Sequence, residues 1–131
     1  MIDWLLTVPP AYRWAITLAL VALVVALSLA PGVARPGDSV FVWLVANTAP
    51  PLQKVMHVVV YAVLAVVGLW TLQSVESKSL RYLLALAVTL CLGAVLEWQQ
   101  TRVPGRYGTL GDVFLNLIGI ALGLLGALLL L

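Results

Sequence analysis

Residues 113–131 read VFLNLIGIALGLLGALLLL and contain no charged side chain. Three earlier stretches, residues 14–30, 55–72 and 80–96, are similarly apolar. Each is close to the roughly 20 residues that a helix needs to cross a hydrocarbon core about 30 Å thick. Only helices and closed barrels cross lipid, and these unbroken stretches lack the alternation of barrel strands. The pattern therefore predicts an all-α, integral membrane four-helix bundle.

The composition agrees with this fold class. The chain has 131 residues, of which 63% are hydrophobic and 9% are charged, whereas a soluble domain carries roughly 25% charged residues. A chain this small cannot bury so much apolar surface by itself, so the bilayer must act as its solvent. We expect one domain over residues 1–131. The net charge of +2 and the absence of a basic cluster indicate no nucleic-acid partner.

The first apolar stretch has an alternative interpretation. Arg13, the apolar run and Ser28-Leu29-Ala30 resemble a signal peptide with its cleavage site. The run is longer than a usual signal core, so we interpret it as a retained span.

The connections between the spans differ in length. Residues 31–54 form a long connection, and within it residues 40–46 are apolar but too short to cross a membrane. That segment is expected to be an interfacial helix or a re-entrant piece packed over the bundle. The second connection, residues 73–79, is short and polar, and Ser77 or Ser79 can cap the third span.

Positive charges give a weak indication of orientation. Four spans place both termini on one side, together with Arg13, Lys78 and Arg81. The residues that we interpret as interface anchors are Arg35, Lys78, Arg81 and Arg102. The opposite side carries Arg35, Lys54, Arg102 and Arg106. Three against four decides nothing. If Lys54 and Arg106 are site residues, they do not count as topology signals. The count of positive charges becomes three against two and favours cytoplasmic termini, with the polar cluster on the outer side.

Polar residues and glycines recur together at helical spacing at one end of three spans. They are Lys54, His57 and Tyr61, then Gly93, Glu97 and Gln100, then Asp112, Asn116, Gly119 and Gly123. Residues three and four apart share one helix face, and Gly119-x-x-x-Gly123 favours close helix packing. Because charge near lipid is costly, these three stripes predict a functional site at one membrane face.

The ordered set of these residues resembles the VanZ-like family over roughly residues 50–125. The similarity rests on Lys54-x-x-His57-x-x-x-Tyr61, then Glu97-x-x-Gln100, then Pro104-Gly105-Arg106-x-x-Thr109-x-x-Asp112-x-x-x-Asn116-x-x-Gly119. One departure is Gln53, where family members often have an acidic residue. The resemblance implies a cell-envelope protein of the bacterial inner membrane and a link to glycopeptide (teicoplanin) resistance. It implies no particular reaction.

His57 and Glu97 are the candidate catalytic residues. His57 is the only histidine and can act as a general acid or base; alternatively it packs at a helix end. Glu97 lies near the negative end of a helix dipole and therefore needs a compensating partner. That partner is expected to be His57, or Arg102 or Arg106 in an ion pair.

The remaining candidates are assigned to ligand binding. Lys54 and Arg106 can hold an anionic group, or they can extend to lipid phosphates. Asp112 fits a capping box with Thr109 and can also anchor Arg106. Asn116 is expected to hydrogen-bond Gln100 or Glu97, and Tyr61 either donates to the cluster or packs.

Three functions follow from these residues. The first is binding or remodelling of an anionic membrane lipid or a lipid-linked envelope precursor. The second is a transferase or hydrolase of lipid-linked substrates in which His57 and Glu97 form the acid–base pair. The third is an accessory subunit whose apolar surface contacts a larger membrane-protein partner. No cofactor is predicted, and no metal, because one histidine with two carboxylates is a poor zinc set.

Overall fold

The computed structural model describes residues 3–130, and every regular element in that range is helical. The helices are α1 (Asp3–Leu6), α2 (Pro10–Leu29), α3 (Val40–Ala46), α4 (Pro50–Thr71), α5 (Lys78–Gln100) and α6 (Leu110–Leu130), with a 3₁₀ turn at Leu72–Ser74. Four of them, α2, α4, α5 and α6, are long and apolar enough to cross a membrane. The predicted all-α, four-helix integral membrane fold is confirmed; residue 131 lies outside the described range.

The observed helices extend beyond the predicted spans because local signals set their ends. Proline occupies the first turn of α2 and of α4, where its missing N–H costs no hydrogen bond. The hydroxyl of Ser77 accepts from the backbone N–H of Leu80 and caps α5, so Ser77 and not Ser79 is the cap. Because α4 begins at Pro50, both Lys54 and His57 lie within its first turns.

The short apolar segment of the first connection is helical, as expected. Helix α3 covers Val40–Ala46, and the hydroxyl of Ser39 caps it by accepting from the backbone N–H of Val42. At its other end, Asn47 donates its side-chain N–H to the carbonyl of Trp43. With seven residues, α3 is held between turns at both ends and leads directly into α4.

Glycines bring α4 and α6 into backbone contact. A Cβ atom at Gly119 would clash with the carbonyl of Val58, and one at Gly123 would clash with the carbonyl of Ala62. On α5, a Cβ at Gly93 would lie 2.8 Å from Nδ2 of Asn116 and 2.9 Å from a ring carbon of Tyr61. The predicted close helix packing at Gly119 and Gly123 is confirmed, and this packing determines which polar side chains meet.

Arg13 is buried at the membrane end opposite the polar stripes. Its side chain is only 8% exposed, and it donates to the backbone carbonyls of Leu6 and Val8 at 2.8 Å each. It also lies over the ring of Trp70, whose Nε1 donates to the carbonyl of Leu5. Arg13 therefore connects α1 and the start of α2 to the end of α4. From the sequence, Arg13 counted only as a topology signal, and this structural role was not predicted.

Candidate functional site

His57 on α4 is bonded directly to Asn116 on α6. The distance between Nδ1 of His57 and Oδ1 of Asn116 is 2.7 Å, and Asn116 is fully buried. An amide oxygen only accepts, so Nδ1 carries the proton and the neutral ring has its lone pair on Nε2. The prediction that Asn116 bonds Gln100 or Glu97 is wrong. Close packing at Gly119, one turn further along α6, turns the Asn116 side chain toward α4.

Glu97 lies beside this pair and is almost completely buried, with 4% of its surface exposed. Its Oε1 is 3.6 Å from Nδ1 of His57, and its Oε2 accepts from the backbone N–H of Thr109 at 3.3 Å. The expected approach of His57 and Glu97 is thus present. The alternative ion pairs with Arg102 and Arg106 do not form within the described part of the chain.

Thr109 connects the two carboxylates of the site. Its hydroxyl accepts from the backbone N–H of Asp112 at 3.1 Å, which confirms Thr109 as the N-cap of α6. The reciprocal half of the predicted capping box is absent, because Glu97 occupies the backbone N–H of Thr109. The Asp112 carboxylate accepts no hydrogen bond from residues 3–130. The loop comes this close because residue 108 is glycine: a Cβ there would clash with the carbonyl of Glu97.

Arg106 closes the site from the side of α2. Its Nε donates to the carbonyl of Ala30 at 3.0 Å, and its Nη2 donates to the carbonyl of Leu27 at 2.7 Å. These carbonyls end α2, where a cation is favoured by the helix dipole. Burial lowers the pKa of the Arg106 guanidinium, and the nearby Glu97 carboxylate opposes that shift. The expected ion pair between Arg106 and Asp112 is absent from the described residues.

Two further stripe residues reach the same region. Gln100 is 5% exposed, and its Nε2 donates to the carbonyl of Ser28 on α2 at 2.9 Å. The Tyr61 ring is buried and stacks parallel to the His57 ring, with centroids 6.4 Å apart. Lys54 is different, because it is exposed and forms no hydrogen bond or ion pair with any described residue. No hydrogen bond or ion pair therefore joins Lys54 to the other predicted site residues in the described part of the chain.

A cavity of about 320 Å³ opens beside these side chains, between α2, α3 and α4. Its apolar wall consists of Val24, Leu27, Phe41, Leu44, Val45, Met56 and Val60. Its polar lining consists of Ser28, Thr48, Gln53, His57, Tyr61, Gln100 and Arg106. Sequence reasoning predicted the α3 segment but not that it lines a cavity, and it missed Ser28, Thr48 and Gln53. The only signal in the sequence was the apolar run of residues 40–46 between two turns. Such a run does not specify which helices it packs against.

His57, Glu97 and Asp112 form the core of the polar cluster. One potential metal-ligand atom from each of them lies within 4.8 Å of the other two. Each comes from a different long helix, α4, α5 and α6. The expectation that three polar stripes converge at one end of the bundle is met by the geometry.

Comparison of the chain with family models, curated proteins and solved structures gives no match. The resemblance to the VanZ-like family stays a prediction. The chemistry of the site rests on its own geometry, which combines a buried His–Asn bond, a buried carboxylate, a fixed guanidinium and an adjoining apolar cavity.

Proposed function

We propose that this protein is a VanZ-like protein of the bacterial inner membrane, with both termini in the cytoplasm. In this proposal it binds an anionic lipid or a lipid-linked envelope precursor in the cavity between α2, α3 and α4. The observation that supports the proposal best is the composition of that cavity, which joins an apolar wall to the Arg106 guanidinium.

The apolar wall suits a hydrocarbon chain. Ligand sites are typically concave and mostly apolar, measure roughly 300–1,000 Å³, and carry a few oriented polar groups. The cavity volume of about 320 Å³ is at the lower end of that range and suits the part of a lipid nearest its head group. Since α2 and α4 face lipid on their outer sides, a chain can continue from the cavity into the bilayer.

Arg106 suits the anionic head group. Two of its guanidinium nitrogens are held by the carbonyls of Leu27 and Ala30, so the fork is oriented before a ligand arrives. Its Nη1 makes no hydrogen bond to residues 3–130 and remains available to a phosphate oxygen. Gln100 and His57 line the same cavity and add neutral hydrogen-bonding groups beside the charge.

The test measures binding of anionic and zwitterionic phospholipids to the full chain in nanodiscs. Replacement of Arg106 by glutamine should remove the preference for phosphatidylglycerol over phosphatidylcholine. The control is Arg102→Gln, in the same loop, because Arg102 is exposed and lies over Trp98 outside the cavity. An unchanged preference in Arg106→Gln would contradict the assignment of the head-group site.

A second pair of variants tests the chain site. Val60 lines the cavity, whereas its neighbour Val59 is exposed on the outer face of α4. Val60→Phe should reduce lipid binding by filling the cavity, and Val59→Phe should not. Equal binding by both variants would argue against occupation of the cavity and favour an accessory role that needs no ligand.

One observation favours an alternative enzymatic function on the same lipid-linked substrates. His57 lines the cavity, its Nδ1–H is bonded to Asn116, and Glu97 is 3.6 Å from that nitrogen. This arrangement leaves Nε2 as the candidate general base, with Glu97 stabilising the protonated ring. His57→Gln would then fold normally and lower turnover of an isoprenoid-linked precursor by roughly 10²–10⁴-fold. Turnover that persists in His57→Gln would exclude this alternative.

A further inference from the structure

We propose that His57, Glu97 and Asp112 form a binding site for one divalent cation, Mn²⁺ or Zn²⁺. One potential ligand atom from each lies within 4.8 Å of the other two. The inference goes beyond lipid binding and does not depend on it. It also departs from the sequence-based expectation of no metal. That expectation rested on the single histidine and could not include which carboxylates lie beside it.

The protein only partly compensates the charges at this cluster, because Arg106 lies near Glu97 but donates its hydrogen bonds to the carbonyls that end α2. Glu97 is 4% exposed, and Asp112 is partly buried next to it. No Lys or Arg side chain of residues 3–130 forms an ion pair with either carboxylate. Two carboxylates at close range in surroundings of low dielectric repel each other strongly. One divalent cation between them compensates both charges at once.

The carboxylates also have free oxygens at the right place. Glu97 accepts from Thr109 through Oε2 only, so Oε1, which faces His57, is open to a cation. Asp112 is released from the capping box because Glu97 occupies the Thr109 N–H, and its carboxylate accepts no hydrogen bond from the described residues. Each acid therefore supplies at least one oxygen without losing a protein contact.

The amide of Asn116 is a second, independent indication of a ligand. This side chain is fully buried within the cluster, yet its Nδ2 has no hydrogen-bond partner. Because this N–H donor cannot bind a cation itself, it indicates an oxygen acceptor at the site, such as a water molecule bound to the ion. Its Oδ1 is 2.7 Å from Nδ1 of His57, which is the hydrogen bond of the state without an ion. In the bound state the single ring proton of neutral His57 moves from Nδ1 to Nε2, so that the Nδ1 lone pair beside Glu97 is free for the ion.

The donor set selects the type of ion. Carboxylate and amide oxygens suit Mg²⁺, Ca²⁺ and Mn²⁺, whereas imidazole suits Zn²⁺ and the later transition metals. One imidazole nitrogen with several oxygens favours Mn²⁺ or Zn²⁺ over the purely oxygen-seeking ions. His57 also lines the neighbouring cavity, whereas the two carboxylates do not, and water is expected to complete the coordination.

The experiment uses the full chain in detergent after removal of metals with EDTA, and Mn²⁺ or Zn²⁺ is titrated by calorimetry. The expected result is one ion bound per chain, with at least tenfold weaker binding in Glu97→Gln and in Asp112→Asn. Asp112→Asn keeps the cap of α6, because the donor there is the backbone N–H. The matched control is Glu76→Gln, since Glu76 is exposed between α4 and α5 at the other end.

A spectroscopic measurement separates ligation from a merely structural effect. With Mn²⁺ bound, pulsed electron paramagnetic resonance should detect an imidazole ¹⁴N coupled to the ion, and the signal can arise only from the single histidine. His57→Gln should remove it. The proposal is overturned by binding well below one ion per chain, by wild-type affinity in Asp112→Asn, or by bound Mn²⁺ without ¹⁴N coupling.

Discussion

Nδ1 of His57 donates a hydrogen bond to Oδ1 of Asn116 over 2.7 Å and joins α4 to α6. The two residues are 59 positions apart in the chain, and Asn116 is fully buried. The bond connects the only titratable imidazole of the protein to its most tightly packed helix pair. It also determines which ring nitrogen is left for a ligand.

The His57 tautomer is directly measurable. In EDTA-treated protein labelled with ¹⁵N-histidine, we expect Nδ1 to be protonated and Nε2 to be bare when the ring is neutral. Asn116→Leu removes the acceptor and should shift both imidazole ¹⁵N resonances toward the Nε2–H form. Asn47→Leu is the control, because Asn47 is exposed and bonds only within α3 and its end. A protonated Nε2 in the wild type would contradict the observed bond.

Backbone contact between α4 and α6 should make Gly119 intolerant of any side chain. Gly119→Val places carbon against the carbonyl of Val58 and is expected to destabilise the bundle by about 1–3 kcal/mol, as overpacking usually does. Gly126→Val on the same helix is the control, since a Cβ there meets nothing within 4 Å. Unfolding in mixed micelles gives the two values. Equal destabilisation by the two substitutions would mean that the contact with Val58 does not cause the loss.

Loss of Arg13 should destabilise the end of the bundle opposite the site. Arg13→Gln removes charge-assisted hydrogen bonds to the carbonyls of Leu6 and Val8 and should lower the free energy of unfolding by about 2 kcal/mol. Arg35→Gln, an exposed arginine, should change it by less than about 0.5 kcal/mol. Thermal unfolding in detergent compares the two, and similar values would refute a structural role for Arg13.

The start of α5 provides a test of local capping. Ser77→Ala removes the hydroxyl that accepts from the N–H of Leu80 and should cost about 1 kcal/mol. Ser79→Ala, two positions later, removes an exposed hydroxyl that caps nothing and should cost less than about 0.5 kcal/mol. Chemical unfolding of both variants in the same micelles measures the difference. A larger loss of stability in Ser79→Ala than in Ser77→Ala would contradict the assignment of Ser77 as the cap.

Features that depend on a single continuous segment of the chain were predictable from the sequence. Apolar length specified the four spans, Thr109 was recognisable as a cap, and the cap of the third span was narrowed to Ser77 or Ser79. The Gly119 and Gly123 pair indicated a close helix contact that the structure contains. The caps and the glycine pair act over about four residues and the spans over about 20. All of them lie within one segment of the chain, so recognising them needs no knowledge of the partner.

The partners of the polar side chains were decided by tertiary structure alone. Asn116 binds His57 and not Gln100, Arg106 binds the carbonyls that end α2, and Glu97 takes the N–H that a capping box would give to Asp112. Spacing places a residue on a helix face, but the rotation and axial offset of neighbouring helices decide what that face meets. Here backbone contact of Gly119 and Gly123 with α4 sets both quantities. The sequence thus determined the spans and the end of the bundle that carries the site, and packing decided the chemistry within it.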